Sequence, residues 1–175
     1  MMEHRRDAVL RPAHADDTEA IAALWHRGWT DGHAGHVPDA LYRHRRLVDF
    51  RRRVPPRLAD TTVAAVGSRV VGFVTVHDDE VEQVYVDGPA RGTGVADLLL
   101  DAGERAVAER FDTAWLAVAV GNARARRFYA RRGWRDAAAI DYAAEAGTDG
   151  TDCTDGADAT MAVTVPCRRY EKRVR

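Results

Sequence analysis

Cysteine is scarce in this chain of 175 residues. Cys153 and Cys167 are its only two, and they form neither a Cys-x-x-Cys pair nor a zinc-finger spacing, which excludes a disulfide framework. A reducing cytoplasm is the compartment this predicts. No apolar run approaches the length of a membrane span, and the basic N-terminus lacks the apolar core of a secretion signal, so no membrane partner is expected. An excess of charge of one sign is missing as well. The 26 basic and 27 acidic side chains leave a net charge of −1, too little for a general attraction to nucleic acid. Lysine is reduced to Lys172 alone, so the basic residues are arginines, a bias that partly reflects codon composition. The seven histidines, among them His26, His33, His36 and His44, have no carboxylates at ligand spacing, and no metal is expected.

What is present is enough apolar residue, 46% of the chain, for the core of one domain spanning residues 1–175. Ala8 to Arg11 reads as a first strand, followed by a helix capped near Asp16 or Asp17 with Ile21, Leu24 and Trp25 on its apolar side. Strands are expected at Thr61 to Val66 and Val70 to His77 around a Gly67-Ser68 turn, at Val81 to Val86, and along the apolar run Ala114 to Val120. The glycines and proline of Trp29 to Pro38 are expected to interrupt regular structure. The basic clusters Arg43 to Arg53 and Arg124 to Arg132 read first as solvated surface, although Arg124, Arg126 and Arg127 are also within reach of a ligand phosphate.

The densest signal is Arg91-Gly92-Thr93-Gly94-Val95-Ala96, which joins the strand ending at Val86 to an amphipathic helix. Val95, Leu98, Leu99, Ala102 and Ala106 recur on that helix at apolar spacing. Glycines permit a tight turn and close approach, and the first N–H groups of a helix lack partners inside it. Such a turn is therefore suited to a pyrophosphate. The segment lacks the Lys-Ser/Thr of a P-loop and the third glycine of a dinucleotide fingerprint, so ATP and NAD are poor candidates. Downstream stands Asn122-Ala123-Arg124-Ala125-Arg126-Arg127-Phe128-Tyr129, ending in Arg132-Gly133-Trp134.

Together, the Arg-x-x-Gly-x-Ala turn and the Asn-x-x-Ala-x-x-Phe-Tyr-x-x-x-Gly-Trp segment resemble the GNAT superfamily of N-acetyltransferases, over roughly residues 7 to 143. The resemblance implies an α/β fold: a central mixed, mostly antiparallel twisted sheet of about six or seven strands, flanked by about four helices. It implies acetyl-CoA as acyl donor, its pyrophosphate on Arg91, Gly92, Thr93, Gly94, Val95 and Ala96, and its pantetheine arm on the main chain of Val84, Tyr85 and Val86. Asn122 and Arg127 fall beside the same ligand. Tyr129 matches a tyrosine near the thioester sulfur, placed to protonate the departing thiolate.

An attacking amine must be neutral, and Glu80 and Glu82, two residues apart, are the candidate bases. They are expected on one strand face with Val84 and Val86. Spacing does not choose between them, though Glu82, deeper in the strand, is slightly preferred. By resemblance, Trp29, His33 and His36 belong to the wall of the acceptor pocket. The expected acceptor is a primary amine of a small molecule. A protein or peptide amine, a longer acyl donor, and a noncatalytic acyl-CoA-binding regulatory module are the alternatives. A homodimer is expected by resemblance. Residues 144–160, small, polar and acidic, are expected to form a mobile loop between the last two strands.

Overall fold

The computed structural model describes residues 7–145 and 162–175. Its strands are β1 (Val9–Pro12), β2 (Thr61–Val66), β3 (Arg69–His77), β4 (Glu80–Val86), β5 (Thr113–Ala119), β6 (Arg135–Glu145) and β7 (Ala162–Arg173). They form one sheet in the order β1-β2-β3-β4-β5-β7-β6, antiparallel throughout except where β4 meets β5. The helices are α1 (Thr18–His33), α2 (Asp39–Tyr42), α3 (Leu47–Arg53), α4 (Val95–Ala108) and α5 (Ala123–Arg131).

The central strands are apolar on both sides because each face of the sheet carries its own core. Ile21, Trp25, Phe50 and Phe73 pack under α1 and α3, while Val74, Leu99, Leu100 and Leu116 pack under α4. β3 alternates accordingly, with Phe73 on one side and Val74 on the other. Along α4 the buried stripe is Val95, Leu99, Leu100, Gly103 and Val107. It is thus rotated slightly from the expected one: Ala106 is exposed, and Leu98 and Ala102 are only partly covered. Glu104 is claimed from two sides, by Lys172 at 2.7 Å and by the Trp134 indole at 2.9 Å.

Three expectations about local structure are corrected. Residues Trp29 to His33 do not interrupt the first helix, which runs unbroken to His33 through Gly28 and Gly32. Their glycines serve packing instead. A Cβ at residue 28 would lie 2.4 Å from Tyr85 Cδ1, and one at residue 32 would lie 3.2 Å from Asn122 Nδ2. The chain leaves the helix only at Ala34 and turns at Gly35, where φ is 74°. The second correction concerns β4. Thr75 pairs with Gln83 and Val76 with Val81, so Glu82 is an extra residue in a β-bulge. Val84 and Val86 therefore share the α4 side with Val81, whereas Tyr85 packs in the opposite core and both glutamates contact residues on that opposite side. Strict alternation put them with Val84 and Val86; the inserted residue breaks that parity. Finally, Ala144 and Glu145 belong to β6, so the expected loop does not begin there, and the rest of it lies outside the described residues.

Candidate active site

β4 and β5 run parallel but register at a single pair, Glu80 with Trp115, beside a 2.9 Å bond from Trp115 N–H to the Asp79 carbonyl. Beyond that point the strands part. A cleft of about 690 Å³ opens between them, with Val84, Tyr85 and Val86 on one wall and Ala117, Val118 and Ala119 on the other. From Glu82 onward the β5-facing edge of β4 has no ladder partner among the described residues. It is free to pair with an extended ligand.

One mouth of the cleft is the glycine turn. Gly92 and Gly94 hold φ values of 76° and 92°, a region costly for any residue with a Cβ, and Gly94 is the N-cap of α4. The N–H groups of Gly92, Gly94, Val95 and Ala96 have no hydrogen-bond partner among the described residues. They converge with the positive end of the α4 dipole, a donor set that fits a pyrophosphate. Thr93 is less available: its N–H and hydroxyl both turn back to the Ala90 carbonyl, at 3.4 and 2.6 Å. Arg91 braces the turn, donating to the Val86 carbonyl at 3.2 Å and to Asp31 of α1 at 2.7 Å. Across the mouth, Arg124, Arg127 and Arg131 of α5 line the cleft. Arg126 does not join them, being drawn to Asp136 and the Tyr170 hydroxyl. Asn122 caps α5, its Oδ1 accepting from Ala125 N–H at 3.1 Å, and the residue lines the cleft.

Tyr129 stands on the cleft wall with its ring held by Phe128, Trp134 and Tyr170 at centroid distances of 5.3, 6.1 and 6.3 Å. Its hydroxyl has no partner among the described residues, and burial pushes the phenol well above its ordinary pKa, so it remains a proton donor at neutral pH. The two glutamates occupy different settings. Glu82 receives Arg57 through two guanidinium nitrogens at 2.9 to 3.1 Å. Glu80 accepts only from the Tyr142 hydroxyl, at 2.9 Å, and burial raises its carboxyl above the usual range, with that hydrogen bond opposing the rise. A raised carboxylate is the better proton acceptor of the two kinds.

The expected pocket wall divides. Trp29 is buried in the core against Phe50 and Tyr42, with its ring stacked on His33 at 5.0 Å, and both residues also border the cleft. Burial lowers the His33 imidazole below its ordinary value, and its Nδ1 bonds the Trp29 carbonyl at 2.9 Å. His36 does not line the cleft. It packs on Gly121, where a Cβ would meet its Nδ1 at 2.1 Å.

The arginines of the first basic cluster are the residues that sequence reasoning missed. Arg46 and Arg51 are surface partners of Asp49 and Glu19, as expected, but Arg45 and Arg53 are only 8% and 7% exposed and line the cleft. Burial depresses both guanidiniums, with Arg53 adding to the lowering at Arg45 and Arg57 to that at Arg53. Arg45 also lies over the Trp29 ring at 5.4 Å. The only available signal was their spacing around the apolar Leu47, Val48 and Phe50, which turns one side of the cluster inward.

A glycine-bounded helix terminus, an unpaired strand edge, and a carboxyl and a phenol share one cleft, an arrangement that suits a transferase acting on an extended, phosphate-bearing ligand. The acetyltransferase (GNAT) family model matches residues 18–134, and the chain belongs to that family. No curated protein matches it in sequence. Solved structures share the fold. A GCN5-related N-acetyltransferase from Rhodopseudomonas palustris is 20% identical with a TM-score of 0.69, over 95% of each chain. PaiA N-acetyltransferase from Thermoplasma acidophilum, in complex with coenzyme A, is 16% identical with a TM-score of 0.63, over 95% of this chain and 98% of that one. YncA from Salmonella typhimurium, with its cofactor acetyl-CoA, is 16% identical with a TM-score of 0.66, over 96% and 94%. No described helix is long and apolar enough to cross a membrane, and no group of three or more potential metal ligands occurs among the described residues.

Proposed function

We propose that this protein transfers the acetyl group of acetyl-CoA directly to a primary amine of a small molecule. The observation that carries the reading is the cleft between β4 and β5, which has free helix N–H donors at one mouth and Glu80 with Tyr129 along its walls. Gly92, Gly94, Val95 and Ala96 hold the pyrophosphate, Arg127 and its neighbours on α5 offer charge to the remaining phosphate, and the edge of Val84 to Val86 takes the pantetheine arm. The ligand supplies an activated thioester. Glu80 takes the proton that an ammonium of pKa near 10 must lose, directly or through water. Glu82, held by Arg57, positions that arginine and is not the base. Tyr129 gives its proton to the sulfur as the carbon–sulfur bond breaks.

Calorimetric titration with acetyl-CoA tests the reading, with Gly94→Val and Tyr129→Phe as contrasts. Val at 94 must adopt a left-handed φ and crowds the phosphate, so binding should weaken at least tenfold. Tyr129→Phe should bind normally while turnover with a reactive amine falls about a hundredfold. Undiminished binding by the Gly94 variant overturns the phosphate site; undiminished turnover removes Tyr129 from the chemistry.

A further inference from the structure

The acetyl-transfer reading leaves Arg45 and Arg53 without a task, and their setting names one. Both are more than nine-tenths buried, line the same cleft, and contact no side-chain carboxylate among the described residues. Arg45 spends one nitrogen, Nη1, on the main-chain carbonyls of His44 and Glu145, at 3.0 and 2.7 Å; Arg53 spends Nη2 on the same Glu145 carbonyl. A guanidinium has five N–H donors, so most of the hydrogen-bonding capacity of the pair is unused. Arg57 beside them is different, bonded to Glu82 at 2.9 Å and to Glu145 at 3.1 Å. Buried charges are ordinarily paired, and two adjacent cations in a cleft are a demand for an anion.

We infer that the acceptor is an amine that also carries a carboxylate, with the carboxylate held by Arg45 and Arg53 while its ammonium faces Glu80. This rests on the acetyl-transfer reading and specifies its substrate. Charge counting selects a single negative charge. Asp49, the other carboxylate near the pair, is matched by Arg46 at 3.3 Å; Arg45, Arg53 and Arg57 against Glu82 and Glu145 then leave one positive charge, and Glu80 is matched by the incoming ammonium. A monoanion closes the balance; a doubly charged phosphate overshoots it. Planar guanidinium groups also match the two oxygens of a carboxylate. The anion site adjoins the chemistry, because Arg45 and Arg53 line the same cleft as Glu80 and Tyr129. Trp25, Leu41 and Val165 on the surrounding wall add apolar contact for the rest of the molecule.

The test is a matched-pair turnover assay with the twenty L-amino acids, β-alanine and 4-aminobutyrate, each beside its uncharged carboxamide, at saturating acetyl-CoA. At least one acid should be acetylated with kcat/KM tenfold or more above its amide. Arg45→Lys and Arg53→Lys, which keep a charge but lose the planar fork, should each shrink that ratio at least threefold, with acetyl-CoA affinity by calorimetry reporting intact folding. Equal use of acids and amides, a preference for amides, or acetyl-CoA binding with no reaction of any acid overturns the carboxylate site and leaves the acetyltransferase reading standing. Failure to bind acetyl-CoA sinks that reading first, and this inference with it.

Discussion

Glu80 and Glu82 differ by two positions, yet their partners separate them chemically. A bidentate guanidinium engages Glu82 as a structural partner, while Glu80, half-buried and bonded to one neutral hydroxyl, is tuned upward toward the range of a base. Activity that needs ionised Glu80 should fall on the acid side of its raised pKa. The Tyr142 hydrogen bond opposes the rise, so Tyr142→Phe should move the acid limb of the kcat/KM profile to higher pH, and Glu80→Gln should abolish the limb along with about a hundredfold of rate. A limb that stays in place in both variants would assign the titration to another group. The candidacy of both carboxylates was legible in the sequence; their ranking was not, because Arg57 and Tyr142 reach them from 25 and 62 residues away.

Among the elements, α1 illustrates how a helix former's defects become assets. Glycine inside a helix costs about 1 kcal/mol relative to alanine, so Gly28 and Gly32 look like breakers in isolation. In the fold they let α1 approach Tyr85 and Asn122, which places Trp29 and His33 on the cleft. Gly28→Ala should therefore fail to gain the stability that propensity promises. Its Cβ would drive into the Tyr85 ring, with a net loss of about 1–3 kcal/mol in urea unfolding and displacement of the Tyr85 main chain that borders the ligand edge. A stabilised variant would mean that the ring moves aside freely. The bulge in β4 belongs to the same scale. One inserted residue turns Glu80 and Glu82 away from α4 while Val84 and Val86 remain packed beneath it.

For the molecule as a whole, an ion pair fastens the start of the first helix to β1, the edge strand of the sheet that carries the site. Asp17 accepts two nitrogens of Arg11 at 2.7 and 2.8 Å and the His14 N–H at 2.8 Å, and the Arg11 hydrogen bonds lead in holding its carboxyl below the ordinary 3.8. Because the folded value lies below the unfolded one, the contribution is present above about pH 3.8 and is lost as pH falls through the lower folded value. Asp17→Asn should cost about 1 kcal/mol at pH 7, a modest figure because Arg11 is partly exposed, and the two proteins should converge in stability as pH falls below the folded value. A constant difference across that range would show that the loss is one of packing and not of charge.

Local chemistry explains what the sequence by itself determined: the strand–glycine turn–helix unit at Val81 to Ala106, the capped helix after Asn122, and the family. These depend on backbone conformations and apolar periods set within about ten residues, which any reader of the chain meets in order. Tertiary structure alone decided the rest. Burial sorts Arg45 and Arg53 from Arg46 and Arg51, a bulge reassigns the faces of β4, and distant partners distinguish Glu80 from Glu82. Solvent exclusion, strand parity and charge pairing are properties of neighbours in space, and it is the folded sheet that makes residues 45, 80, 129 and 142 neighbours.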